Sequence, residues 1–303
     1  MARVCEEIFL KGYGNNIKDG FWMDDLLKIQ LDLLIQNIKN DWDFTIIISG
    51  GGEVRVGKSV LALQIGAYWN YMIGKLYGIN NEFGLKNIVF DGTRLISTGH
   101  EMGKGHPYSV MIYDEAGADL AGTKVLTQMT QNVMDYYREC GQYNFLNILV
   151  IPEFFDLPKG IALSRSIFLL DVYYRPNEKG IFERGYFSFF SRPNKKLLYL
   201  KGKKELNYTA YPADFNKGRF LNFYPINESE YRKAKEKAFI GRIDRKNLRF
   251  ITQRNACWYL LMNEFKLTYE ELSERMERLT GWDAHHDTID DAIKPFIEKF
   301  EKK

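Results

Sequence analysis

The sequence has few cysteines and no long hydrophobic run. Cys5, Cys140 and Cys257 lie far apart without a C-x-x-C pair, and the four histidines do not complete a zinc-binding spacing with them. Disulfide scaffolds and zinc fingers are therefore disfavoured, and reduced thiols in a cytoplasmic compartment are expected. The first 20 residues do not resemble a signal peptide, and no apolar stretch approaches the roughly 20 residues of a membrane-spanning helix. We expect a soluble protein without membrane insertion.

The composition is that of a folded protein with a sizeable core. Of its 303 residues 45% are hydrophobic and 15% aromatic, which is far from a disordered composition. The net charge of +3 is too small to indicate a partner. The length allows one large domain, or one domain of about 200 residues with a small appendage.

Short apolar runs alternate with helical patterns through the first two thirds of the chain. Runs without polar alternation are typical of strands covered on both faces, and strands that alternate with helices favour a parallel sheet. The fold class predicted is therefore α/β, a three-layer sandwich with a mainly parallel sheet. The predicted strands are 44–49, 87–90, 110–113, 148–151 and 167–173, the predicted helices are 22–39, 58–75 and 123–140, and 180–191 resembles a hairpin or extra edge strands.

A phosphate-binding loop follows the first strand and opens a helix. Residues Gly52–Ser59 match G-x-x-x-x-G-K-S, and the strand–loop–helix context separates a P-loop from a chance match. Glycines let the backbone N–H groups converge on phosphate oxygens, and the helix adds its positive end. Lys58 is predicted to reach the β- and γ-phosphates, and Ser59 to bind Mg²⁺. The predicted nucleotide-binding residues are Gly52, Glu53, Val54, Arg55, Val56, Gly57, Lys58, Ser59 and Val60, with the Arg55 side chain expected in solvent.

Two adjacent carboxylates end the strand at 110–113. Residues just past the carboxyl ends of parallel strands line the ligand crevice, so Asp114 should lie across from Ser59 and hold Mg²⁺, directly or through water. Glu115, one residue further, is placed to polarise the attacking water. The sequence therefore predicts Lys58 and Glu115 as catalytic residues, and Ser59 and Asp114 as metal ligands.

A strand at 87–90 inserted between the P-loop strand and the acidic strand, together with the glutamate after the aspartate, resembles the ASCE branch of P-loop ATPases. Within it, VMIYDEAG and the chain that follows are similar to the FtsK–HerA type, particularly its Zot-like and viral packaging members. The resemblance covers roughly residues 44–175. It implies a RecA-like sheet and ATP as the nucleotide, and no N/T-K-x-D guanine-reading motif is evident. A glutamine usually closes the fourth strand in that group, whereas this sequence has Ile151-Pro152-Glu153, which makes Glu153 a candidate sensor.

The negative charge of a transferred phosphoryl group calls for an arginine. Arg165, in the loop before the strand at 167–173, is the first candidate, and Arg138 on the preceding helix is the second. A surface or ion-paired role is the alternative for each. If Arg165 acts in trans, the active species is a homo-oligomer, most simply a ring.

The last third of the sequence has a different character. We predict an ATPase domain at 1–191, a linker or extension at 192–245, and a helical domain at 246–303 with helical patterns at 252–266, 269–279 and 288–300. Residues 232–249 contain eight Lys/Arg and two acids and could follow a phosphate backbone or form a solvated helix face. The final helices resemble a winged-helix or helix-turn-helix domain. Residues 246–303 are nearly neutral, however, with ten basic and eleven acidic residues, so a DNA contact and a protein partner both stay open.

The function predicted is an ATP-hydrolysing motor, a translocase of double-stranded DNA in packaging, transfer or replication of a virus or mobile element. An assembly or export ATPase of the Zot-like type acting on protein is one alternative. A nucleotide-switched scaffold is another, although the intact Lys58, Ser59, Asp114 and Glu115 argue against a dead ATPase.

Overall fold

The computed structural model describes residues 20–79, 81–120, 127–281 and 285–300. The chain divides into two compact units, Met1–Lys233 and Ala234–Lys303. The predicted boundaries at 191 and 245 differ from this division, because residues 192–233 belong to the first unit. None of the helices in the part of the chain that the structure describes is long and apolar enough to cross a bilayer.

A seven-stranded sheet forms the centre of the first unit, in the order β2-β3-β4-β1-β5-β6-β7. Neighbours among β2, β3, β4, β1 and β5 pair in parallel, and β6 and β7 continue the sheet antiparallel. The strands are β1 Phe44–Ser49, β2 Ile88–Val89, β3 Val110–Tyr113, β4 Leu146–Val150, β5 Ser166–Pro176, β6 Phe182–Phe190 and β7 Phe215–Arg219. The five predicted strands and the hairpin partner are thus confirmed.

The strand order separates the P-loop strand from the acidic strand. The strand between β1 and β3 in the sheet is β4, whereas β2, which lies between them in sequence, is at the edge. Every residue of β1 and β4 is buried, which explains why both strands are mostly apolar without a polar face.

Helices cover both faces of the sheet. The helices of the first unit are α1 Asp25–Ile38, α2 Lys58–Tyr77, α3 Gly92–Gly103, α4 Gly117–Leu120, α5 Gln128–Glu139 and α6 Arg192–Gly202. Helices α3, α5 and α6 share one buried cluster with Ile47 and Leu169 of the sheet. Helix α2 lies on the opposite face, where a Cβ added at Gly66 would be 3.1 Å from Cδ1 of Ile112. The three-layer α/β sandwich is confirmed; the predicted start of the α5 pattern, 123–126, lies outside the described residues.

Part of the predicted linker or extension at 192–245 has regular structure. It contains α6, the edge strand β7 and the first turns of the long helix α7, Glu228–Phe265. Pro193 stands in the first turn of α6, a position where its missing N–H costs nothing. The strand β7 has the sequence FNKGR with mostly exposed side chains, so it shows no apolar pattern. An edge strand and a short helix with few buried positions leave too weak a periodicity to be recognised.

The second unit is helical and has a small core of its own. Helix α7, Glu228–Phe265, begins in the first unit and is followed by α8 Tyr269–Thr280 and α9 His286–Phe300. Trp258, Leu272, Ile289 and Ile293 form the buried cluster. Thr268 and Glu271 form a capping box at the start of α8, and Gly281 ends this helix in the left-handed conformation. There is no strand within 234–281 or 285–300, and the basic stretch 232–249 is part of α7.

Candidate functional site

The P-loop connects the carboxyl end of β1 to α2 and has left-handed backbone at several positions. Gly51, Gly52 and Gly57 have φ values of 54°, 77° and 106°, where residues with a Cβ are strained. A Cβ at Gly57 would also lie 3.0 Å from Cζ of Phe220. Arg55 has a φ of 61° and an exposed side chain, as the sequence predicted. The glycines of the motif are therefore required by backbone geometry and by close packing.

The first turn of α2 is arranged to receive an anion. Gly57 is the N-cap residue, and no side chain among those described caps this helix. The N–H groups of a first helical turn have no partner within the helix and favour phosphate. Earlier in the loop, Gly52 N donates to Pro152 O at 2.9 Å and Glu53 N donates to Gly50 O at 2.8 Å, which anchors the loop to the end of β4.

The ammonium group of Lys58 folds back onto the loop. It donates to the backbone carbonyl of Glu53, and its Nζ lies 3.1 Å from where a Cβ of Gly50 would be. To reach a nucleotide phosphate, the ammonium would exchange the Glu53 carbonyl for a phosphate oxygen. The Lys58 side chain is thus already held beside the loop that would surround the phosphates.

Ser59 and Asp114 meet as predicted across the crevice. Ser59 Oγ donates to Asp114 Oδ1 at 3.1 Å, and Asp114 is only 1% exposed. A hydroxyl and one carboxylate are the protein ligands typical of Mg²⁺ bound together with nucleotide phosphates. Among the described residues no group of three or more His, Cys, Asp or Glu side chains could hold a metal. The residues present therefore fit Mg²⁺ bound with a nucleotide rather than by the protein alone.

Glu115 lies immediately beyond the metal-ligand candidate in a strained conformation. Its φ is 64°, uncommon for a residue with a side chain, and such strain is concentrated at functional sites. Its N–H donates to Asp114 Oδ1 at 3.1 Å, and its carbonyl accepts from Ala118 N at 3.0 Å. Ala116 N donates to Val150 O at 3.0 Å, which fixes the turn to the end of β4. The partly exposed carboxylate is thus set at the rim of the crevice.

A polar cluster lies behind the start of the P-loop. Tyr208 Oη donates to Glu153 Oε1 at 2.7 Å, Phe154 N donates to Tyr208 Oη at 2.9 Å, and Ser49 Oγ donates to Asp171 Oδ1 at 3.2 Å. Glu153 Oε2 lies 3.7 Å from where a Cβ of Gly52 would be. Glu153, the sensor candidate, is therefore beside the P-loop.

The Asp171 carboxyl predicts a pH dependence of nucleotide binding. The pKa of Asp171 is raised to about 7, mainly by burial and also by the carboxylates of Glu153 and Glu53; the Ser49 hydrogen bond and Lys58 act in the opposite direction. Below pH 7 the group is neutral, and above it a negative charge appears near the P-loop. We expect the Kd for ATP to rise several-fold from pH 6 to pH 8, and Asp171→Asn to weaken that rise, as measured by calorimetric titration. An equal rise in Kd from pH 6 to pH 8 in the wild type and in Asp171→Asn would contradict this prediction, because protonation of ATP itself affects both proteins alike.

The structure does not bring either candidate arginine to the P-loop. Arg165 pairs with Asp43, Nη1 to Oδ1 at 3.0 Å with a second bond from Nη2 to Oδ2, and the two side chains are 24% and 12% exposed. Asp43 precedes β1 and Arg165 precedes β5, so both lie at the amino ends of the strands, about 20 Å from the P-loop at roughly 3.3 Å per residue. Arg138 is exposed and bonds to Asp135 at 2.6 Å. Arg165 is therefore held in an ion pair within its own chain, and its role at the site of a neighbouring subunit stays a prediction.

Three residues near the site were missed from the sequence: Asp171, Tyr208 and Tyr231. Tyr231 Oη donates to Asp114 Oδ2 from a position 117 residues further along the chain. Nothing in local spacing could reveal that contact. For Asp171 a signal existed, because an acidic residue interrupts an otherwise apolar parallel strand (IFLLDVY).

Comparison with known proteins adds little to this description. No protein-family model matches the chain, and no curated protein sequence matches it significantly. Solved structures of the genome packaging NTPase B204 from Sulfolobus turreted icosahedral virus 2 are similar. The complex with AMP is 16% identical with a TM-score of 0.32, covering 52% of this chain and 95% of that chain. The complex with ATP-γS is 15% identical with a TM-score of 0.32, covering 50% and 94%.

The candidate site is defined by features of the chain itself. These are the P-loop between β1 and α2, the acidic pair that follows β3, and β4 between those two strands. Together they place a phosphate-binding motif and two carboxylates at the same edge of a mainly parallel α/β sheet.

Proposed function

We propose that this protein binds ATP with Mg²⁺ and hydrolyses it. The observation that carries the proposal is the 3.1 Å contact from Ser59 Oγ to Asp114 Oδ1, which joins the P-loop helix to the acidic strand end with Glu115 one residue beyond. Phosphate-binding backbone, a metal-ligand pair and a carboxylate at the rim are the three parts that ATP hydrolysis requires.

Each part has a defined task. The N–H groups around Gly57 and the Lys58 ammonium would hold the phosphates, and Ser59 with Asp114 would hold Mg²⁺. When bound, the metal would supply positive charge against the negative charge of the transferred phosphoryl group. Glu115 orients the attacking water and accepts its proton, which raises the nucleophilicity of the oxygen. The leaving ADP oxygen is stabilised by Lys58 and the P-loop amides.

We further propose DNA as the load that hydrolysis moves. Support comes from the basic stretch 232–249, which lies within α7 and has a balance of +6, eight basic minus two acidic residues. A helix of this kind can follow a phosphate backbone through charge alone. The resemblance to the FtsK–HerA type points the same way and implies a homo-oligomeric ring. A protein load and a scaffold role are the competing outcomes of the test.

One experiment tests both parts. ATP turnover is measured at low salt with and without long double-stranded DNA, for the wild type and for Lys58→Ala. We expect DNA to stimulate the wild type and this stimulation to fall as salt rises. The variant should lose about 10²-fold or more, since it lacks the charge that stabilises the transferred phosphoryl group.

The outcomes separate the alternatives. Normal hydrolysis by Lys58→Ala would show that the P-loop is misassigned. Hydrolysis that DNA does not stimulate at low salt would exclude the translocase and leave a protein load or a switch. Measuring the mass of the particle with ATP and DNA present checks the ring, and a fully active monomer would contradict it.

A further inference from the structure

A segment near the end of the first unit passes over the P-loop helix. We call residues 220–231, from the end of β7 through the first turn of α7, the strap. The ring of Phe220 packs against Gly57 of the P-loop. Gln64 Nε2, in α2, donates to Leu221 O at 2.7 Å and to Phe223 O at 2.8 Å. The strap is therefore attached to the same helix whose first turn carries Lys58 and Ser59.

The strap ends at Tyr231, whose side chain enters the metal-ligand pair. Tyr231 is 3% exposed, and its ring lies 5.9 Å from the rings of Phe90 and Tyr224, measured between centroids. Its hydroxyl donates to Asp114 Oδ2.

The two oxygens of Asp114 thus have different partners. Oδ1 accepts from Ser59 Oγ and from Glu115 N, both at 3.1 Å, and Oδ2 accepts from Tyr231. A carboxylate that rotates freely would present either oxygen to a metal. The tyrosine removes that freedom and keeps Oδ1 on the side of Ser59. Removing a group that hydrogen-bonds to a metal ligand without touching the metal typically lowers the metal affinity by about 10- to 100-fold.

We propose that Tyr231 is a positioning residue for Mg²⁺, which orients the Asp114 carboxylate for metal bound beside Ser59. The proposal rests on the proposed function, since it assigns the metal to this pair. A purely structural role, in which Tyr231 only fastens the start of α7, is the competing explanation. The two differ in their effect on metal affinity.

The test is Tyr231→Phe in the full chain, which keeps the ring and its packing. The affinity for a fluorescent, non-hydrolysable ATP analogue is measured in the presence of EDTA and then at increasing Mg²⁺ concentrations. Mn²⁺ binding to the complex is followed by electron paramagnetic resonance. We expect unchanged affinity for the analogue in EDTA. The metal concentration at half-saturation should rise about 10-fold or more.

Tyr77→Phe is the matched control. This substitution also removes a tyrosine hydroxyl that donates a hydrogen bond, here to the backbone carbonyl of Ile35 at 2.7 Å. Tyr77 is at the other end of α2, about 28 Å from Lys58 at 1.5 Å per residue. Equal metal dependence in the two variants would overturn the positioning role while leaving the ATPase proposal intact. A wild type that binds no nucleotide with or without metal would refute the proposed function itself, and the inference with it.

Discussion

Replacing Glu115 by glutamine is expected to lower ATP turnover by about 10²- to 10³-fold while ATP binding stays within about twofold. Glutamine has nearly the same shape and fits the same left-handed backbone, but its amide cannot accept the proton of the attacking water. The phosphate contacts at Lys58 and Ser59 lie on other residues and are unaffected. Single-turnover hydrolysis and calorimetric ATP binding separate the two effects.

Glu101→Gln is the control for loss of an exposed carboxylate outside the site. Glu101 lies in α3 with an exposed side chain. The turnover of this variant should remain near that of the wild type. If Glu115→Gln hydrolyses ATP as fast as Glu101→Gln, Glu115 is not the residue that activates water.

Arg165→Ala is expected to lower the free energy of unfolding by about 3–5 kcal/mol. The substitution leaves the carboxylate of Asp43, whose side chain is 12% exposed, without the guanidinium that bonds to both of its oxygens. Removing one partner of a mostly buried pair leaves an uncompensated charge, which is far more costly than losing a surface pair. Urea unfolding followed by circular dichroism measures the difference.

Arg138→Ala provides the comparison, because Arg138 and Asp135 form an ion pair whose side chains are 66% and 52% exposed. Pairs of this kind contribute about 0–1 kcal/mol. Equal stability of the two variants would contradict the structural role of Arg165. Recovery of hydrolysis on mixing Arg165→Ala with Lys58→Ala subunits would instead restore the arginine to the active site of a neighbour.

The site could be predicted from sequence to the extent that its parts follow strands directly. The P-loop and the acidic pair each come just after a buried apolar run, so the parallel sheet brings them to the same edge. By the same rule Arg165, which precedes the parallel strand β5, lies at the opposite edge of the sheet from the P-loop of its own chain. The strand between β1 and β3 could not be identified, because strand order is not encoded in the order of apolar runs.

Tyr208 and Tyr231 could not be predicted, because their partners are distant in sequence. Tyr208 contacts Glu153 across 55 residues and Tyr231 contacts Asp114 across 117. Both tyrosines lie in or beyond a stretch with no usable periodicity, where α6 and β7 were mistaken for a linker. The positions of both tyrosines depend on how β7 pairs at the edge of the sheet, and this pairing is decided by tertiary packing rather than by the local sequence pattern.

The continuity of α7 affects how the protein can be divided for experiments. A chain ended at the boundary between the units, Lys233, would keep only residues 228–233 of this helix, roughly two turns at most. Helices that short do not hold their shape in water without support. Tyr231 would then lose the scaffold that presents its hydroxyl to Asp114. Deleting the second unit to test what it binds would therefore also affect the contact between Tyr231 and Asp114 in the first unit. Point substitutions on the surface of the second unit avoid this effect.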